Sequence, residues 1–246
     1  MSTVIWVVGV ITGTLGGMRV RGWLNTLAYR RPDEEQMPKP GSRWWVPVAA
    51  LLICAAVGWR LVLLPSGSGT TLAGPGSFVD TEQIIVLVVL IVAGWACLAL
   101  AAVDLDVHRL PDRITGPTLL WLIGGLGVAS LAGAGWSPWL RMLLCAVLSG
   151  AFYLLLSLVS LTRGSSALGL GDVKLAVVLG AALGWFGVQS AIIGLYAAFL
   201  IGGLWAALLL IARRVKLQGH LAFGPAMMLG ALCGVLLPPD SIGAMF

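Results

Sequence analysis

Asp104 and Asp172 are the residues most able to do chemistry. Each lies within a few residues of the end of an apolar stretch, in a chain of 246 residues that carries only 10 Asp and Glu. An ionisable group at the edge of hydrocarbon is costly and marks a functional position by default. Asp104 follows Ala99 to Val103 and falls on the last turn of an apolar helix, where the helix dipole disfavours an anion; Asp172 follows Gly169-Leu170-Gly171 at a helix start, where the dipole favours one. Two carboxylates about 3 Å apart share a proton, so that one acts as general base on a water while the other, protonated, polarises a carbonyl. That is aspartic-protease chemistry. It needs no metal, no cofactor and no nucleophilic side chain, which suits a chain with 2 His and 4 Cys, the cysteines scattered inside apolar stretches without a CxxC pair.

The other acids read as structural. Asp33, Glu34 and Glu35 form a solvated run beside Arg30 and Arg31, and Asp80, Glu82 and Asp240 fall on the opposite side of the membrane. Asp106 and His108 lie further out than Asp104, where solvated or capping roles are expected. Pro111 stops the preceding segment, and Asp112 or Thr115 is placed to cap the next helix. The glycines at 164, 169 and 171 permit close approach of another chain. Lys174 reads foremost as a snorkelling anchor, with a substrate carbonyl or lipid phosphate as the other use.

The elements that position these residues follow from composition. Residues that are 59% hydrophobic and 10% charged, with mean hydropathy +0.99, exclude both a soluble globular domain and a disordered chain. Apolar runs near 2–18, 46–64, 84–103, 115–133, 139–161, 174–190, 191–212 and 222–239 predict an all-α polytopic bundle of about eight membrane helices, with the sixth and seventh poorly separated around Gly187. All but Arg60 and Arg141 of the 15 Lys and Arg then fall on one side. The positive-inside rule makes that side cytoplasmic and puts both termini outside. Location of the basic residues thus accounts for the net charge of +5 without a nucleic-acid partner.

One membrane domain is expected over 1–246, with a short cytoplasmic segment at 19–45 and an extracytoplasmic Gly/Ser/Pro linker at 65–83. Trp6, Trp44, Trp45, Trp59, Trp136, Trp139 and Trp185 sit mostly near span ends, as interfacial anchors do. Glycines four apart, at 9, 13 and 17, at 180 and 184, and at 230 and 234, predict close helix packing.

Four ordered stretches carry a resemblance. Asp104-Leu-Asp-Val-His-Arg-Leu-Pro111-Asp112 and Gly169-Leu170-Gly171-Asp172-Val173-Lys174 resemble the two aspartate motifs of the prepilin peptidases, GxGD-type aspartic peptidases of the bacterial inner membrane. Trp23 to Pro32 is similar to that family's first cytoplasmic segment, and Phe223-Gly224-Pro225-Ala226 to its last-helix motif. The resemblance implies catalytic Asp104 and Asp172, with Asp106 as competitor for the first role. It also implies that Gly169, Gly171, Lys174, Pro111 and Asp112 bind substrate or shape the loops. The implied activity is cleavage of a basic leader of prepilin or pseudopilin substrates at the cytoplasmic face, with membrane lipid as surroundings.

Many members also methylate the new N-terminus, using an insertion with two zinc-binding CxxC pairs. Residues 19–45 contain no cysteine, so neither methyltransferase activity nor zinc is expected. Two readings from other classes are a proton-coupled transporter using the same carboxylates and an inactive assembly protein on the peptidase fold. The first calls for acids at span centres and for repeat-related broken helices, and the sequence shows neither.

The expected orientation has a direct test. Alkaline phosphatase fused within 65–76 should be active, and fused within 32–42 inactive; the reverse pattern would invert the topology.

Overall fold

The computed structural model describes residues 2–34, 36–63, 81–162, 169–211 and 222–237. Among them the chain forms eight α-helices: α1 (Ser2–Asn25), α2 (Trp45–Leu63), α3 (Thr81–Val107), α4 (Asp112–Ala129), α5 (Trp136–Thr162), α6 (Leu170–Phe186), α7 (Val188–Ile211) and α8 (Gly224–Leu236). The protein is an all-α, multi-pass membrane protein. Four helical stretches, Thr81–Val107, Asp112–Ala134, Trp136–Ser160 and Val188–Leu208, are long and apolar enough to cross a bilayer, and Trp45–Leu61 and Gly224–Leu236 are shorter apolar helices. Outward-facing Leu120, Leu131, Leu155 and Ile211 are 60% exposed or more, as expected of surfaces solvated by lipid rather than water.

Helix ends depart from the apolar runs for local reasons. α1 continues past its run through Arg19 and Arg21 to Asn25, because no proline interrupts the sequence before Pro32. α6 and α7 are separated at Gly187, whose φ of 147° is open to glycine alone. α4 starts at Asp112 behind Pro111, with no side-chain cap from either Asp112 or Thr115. Thr115 instead bonds back to the Pro111 carbonyl at 3.2 Å. The linker at 65–83 lies outside the described residues except for its last three, which begin α3.

Paired glycines set the closest approaches between helices. A Cβ on Gly180 would stand 2.7 Å from Ser149 Cβ, and one on Gly184 2.6 Å from Cys145 Cβ, so α5 and α6 pack backbone to backbone. Gly230 and Gly234 do the same for α7 and α8, each 2.5 Å from a carbonyl oxygen of α7 (Gly194 and Ser190), and Gly17 does so for α1 and α2, 2.6 Å from Pro47 Cα. Gly9 has open space around it, so the first glycine of that series carries no contact.

Arg60 and Arg141, the two basic residues expected on the outer side, are drawn into the bundle. Arg141 donates to the Gly184 carbonyl at 2.9 Å and the Trp185 carbonyl at 2.6 Å, meeting the negative end of the α6 dipole. Arg60, 1% exposed, stands over the Phe186 ring at 5.6 Å. Trp185 was expected as an interfacial anchor, but it is 1% exposed, packed in the core beneath the end of α6.

Gly230→Ala should destabilise the fold by about 1–3 kcal/mol, the usual cost of overpacking. Gly203→Ala, at an exposed position with nothing within 4 Å, should not. Thermal midpoints in detergent separate the two, and equal midpoints would show that the α7–α8 contact is not tight.

Candidate active site

The ends of α3 and α5, the starts of α4, α6 and α8, and the segment between α1 and α2 converge around one cavity of about 1520 Å³. All seven residues singled out by sequence line it: Asp104, Asp172, Gly169, Gly171, Lys174, Pro111 and Asp112. Asp104 is 5% exposed and Asp172 9%.

Each carboxylate accepts one backbone N–H. The Gly224 N–H, at the start of α8, donates to Asp104 Oδ2 at 2.9 Å across 120 residues of chain. A Cβ at Gly224 would stand 2.7 Å from that oxygen and 3.3 Å from Asp104 Cβ, so a bare glycine is needed for the approach. The Gly169 N–H donates to Asp172 Oδ2 at 3.3 Å, which places Asp172 at the third helical position behind a glycine N-cap rather than at the cap itself.

The two glycines of the loop serve differently. Gly171 abuts Leu110, with its missing Cβ 3.1 Å from Leu110 Cβ, whereas Gly169 has ordinary contacts and extended backbone. Leu110 and Pro111 are delivered to this point by His108, whose φ of 51° ends α3 in a left-handed turn. The His108 N–H still bonds to the Asp104 carbonyl at 2.9 Å.

Asp106 is not solvated, contrary to the sequence reading. At 7% exposure its side chain is gripped by Arg30 Nη2 at 2.8 Å and Nε at 3.0 Å, by Arg43 Nη2 at 3.5 Å, and by the Tyr29 hydroxyl. Arg30 also donates to the Met37 carbonyl at 3.0 Å and the Pro38 carbonyl at 2.9 Å, and Arg43 to the Leu24 carbonyl. Burial, and then the bond to Asp106, push the Tyr29 phenol above its usual value, so it remains a donor. This network ties the segment between α1 and α2 to the end of α3, and it turns Asp106 away from the cavity that Asp104 lines.

Glu34 is likewise not part of a solvated run. It receives Arg109 Nε at 2.9 Å and Nη2 at 2.7 Å, and the Arg109 guanidinium holds its carboxyl below the usual carboxylate range. Lys174, expected as a lipid anchor, pairs with Asp112 Oδ1 at 2.5 Å across the cavity mouth, where both side chains are about half exposed or more.

Sequence reading missed Tyr29, Arg30, Arg43 and Arg109 as site-shaping residues. The available signals were the excess of arginine over acid in 19–45 and the place of Tyr29 and Arg30 within the stretch Trp23 to Pro32. Also missed were Ser157, Phe223 and His108 on the cavity wall.

A family model described as the type IV leader peptidase family matches residues 91–211, a span that holds both Asp104 and Asp172. Residues 91–211 belong to this family. The prepilin leader peptidase/N-methyltransferase of Dickeya chrysanthemi is 37% identical over 204 residues, covering 78% of this chain and 65% of the relative. That of Neisseria gonorrhoeae is 34% identical over 131 residues, covering 53% and 42% respectively, and that of Pseudomonas putida 29% identical over 228 residues, covering 89% and 69%. The chain thus spans 42% to 69% of the length of these relatives. No solved structure gives a significant match. Within the leader peptidase family frame, Gly224 supplies a backbone donor from outside the matched residues 91–211.

Asp106→Asn leaves two arginines around a neutral amide, whereas Asp112→Asn opens an exposed pair worth about 0.2–1 kcal/mol. The first substitution should lower the thermal midpoint clearly more than the second. Equal shifts would show that the Arg30–Asp106 network does not hold the segment down.

Proposed function

We propose that the chain is a membrane aspartic endopeptidase that removes the leader of prepilin or pseudopilin substrates at the cytoplasmic face of the bacterial inner membrane. The observation that carries this reading is the pair of aspartates, Asp104 and Asp172, on the wall of one cavity, each held by a single backbone N–H and otherwise open to a reactant. One carboxylate, ionised, takes a proton from a water, and the resulting hydroxide adds to the scissile carbonyl carbon. The other, protonated, gives its proton to the carbonyl oxygen. Collapse of the tetrahedral intermediate breaks the C–N bond: the proton held by the base goes to the leaving amine, and as the C=O re-forms one hydroxyl proton of the intermediate returns to the other carboxylate. Both carboxylates return to their starting pair of states.

Orientation supports the same reading. The helix ends that form the cavity are those joined by the basic segments, including Arg30, Arg31, Arg109 and Arg113 on its wall. A substrate whose apolar helix lies in the bilayer would present its leader at that level, beside the helix ends rather than at the bilayer centre. Gly171, Pro111 and Leu110 shape the wall. Lys174 and Asp112 stand at the mouth, where a passing backbone meets one donor and one acceptor. The peptidase reading does not extend to N-methylation, since residues 19–45 carry no cysteine.

Asp104→Asn and Asp172→Asn should each slow cleavage of a co-expressed prepilin by about 10²–10⁴-fold or more, the usual weight of a general acid or base. Substrate size on a gel, with protein level and thermal midpoint checked in parallel, reads this out. Wild-type cleavage by either variant would remove that residue from the reaction.

A further inference from the structure

Tyr153 on α5 is 1% exposed, yet its hydroxyl has no hydrogen-bond partner among the described residues. Its ring does not explain the hydroxyl. The ring stacks on Phe199 with centroids 5.4 Å apart and lies 6.4 Å from Phe223, contacts that a phenylalanine would make without burying an O–H. The register of α5 against α6, set by Gly184 against Cys145 and Gly180 against Ser149, places Tyr153 beside Ala176, one helical turn inward of Asp172. Tyr153 stands outside the large cavity, whose wall does not include it. Among the described residues, the donor to the Asp172 carboxylate is the Gly169 N–H at a long 3.3 Å. Phe223, which closes the aromatic cluster, precedes the Gly224 that holds Asp104. The cluster therefore packs behind both carboxylates.

We propose that Tyr153 is a positioning residue for Asp172: its hydroxyl, without a partner in the resting protein, donates to the carboxylate from behind the cavity during turnover and fixes the orientation in which Asp172 meets water and substrate. The proposal rests on the peptidase reading above. Tyr153 touches no substrate, so it acts on turnover rather than on binding. A hydroxyl without a fixed partner in the resting protein is also dispensable for folding, because removing an unpaired buried polar group is neutral or stabilising.

The test is Tyr153→Phe in the full chain, purified into lipid vesicles and assayed on a prepilin-like substrate. The expected result is a kcat lower by about 10- to 100-fold, the loss of one hydrogen bond to a charged group, with KM within about twofold and a thermal midpoint unchanged or raised. An unchanged kcat would overturn the proposal. So would a fall in activity accompanied by a matching loss of thermal midpoint, which would make Tyr153 a packing residue. Asp104→Asn and Asp172→Asn run alongside keep the two claims apart. If either cleaves like wild type, the peptidase dyad itself fails; if both are inactive and Tyr153→Phe is normal, only the positioning role fails.

Discussion

A carboxylate placed among apolar helices must be held by donors that cost nothing to bury, and in this protein those donors are backbone N–H groups at helix starts. The bond from Gly224 to Asp104 is the clearest case. It joins the end of α3 to the start of α8 across 120 residues of chain, and it forms only because position 224 has no side chain to collide with the carboxylate. The start of α6 treats Asp172 in the same way through Gly169. Free N–H groups and the positive end of the dipole make helix starts natural seats for an anion. The bundle therefore has to bring two such starts to the same depth. The glycine contacts of α5 with α6 and of α7 with α8 serve that end, because they fix the heights at which α6 and α8 stand.

Charge pairing then decides which aspartate faces the cavity. Asp104 and Asp106 are two residues apart near one helix end, so they point to different sides of α3. Arg30, Arg43 and Tyr29 occupy the side of Asp106 and bring with them the segment that follows α1. With Asp106 paired in this way, Asp104 is the one of the two that lines the cavity. The Arg109–Glu34 pair ties the same segment to the turn after α3, so two independent ion pairs hold one loop over one end of the bundle.

Much of this was legible in the sequence because charge is scarce. In a chain with 10% charged residues, an acid at the end of an apolar run stands out, and Asp104 and Asp172 do so. The eight helices were legible for the same reason, since each hydrophobic run is long enough to be read alone. What the sequence hid were relations between distant residues. Asp106 and Glu34 look solvated when read locally, because the arginines that bury them lie about 75 residues away. Tyr153 reads as one more apolar residue of α5 until the structure sets it beside Ala176, one turn from Asp172, with its hydroxyl unpaired among the described residues. Gly169 and Gly171 read alike, and only the position of Leu110 separates the glycine that a side chain would disturb from the one it would not.

The central claim is that Asp104 and Asp172 act as one unit on one water. It is tested most directly by a double-substitution cycle on purified protein in lipid vesicles, comparing cleavage of a prepilin-like substrate by Asp104→Asn, Asp172→Asn and the double variant. Residues that act together lose their whole contribution when either is removed, so the account predicts the same residual rate in all three. Losses that multiply in the double variant would contradict it and would mean that the two carboxylates work separately.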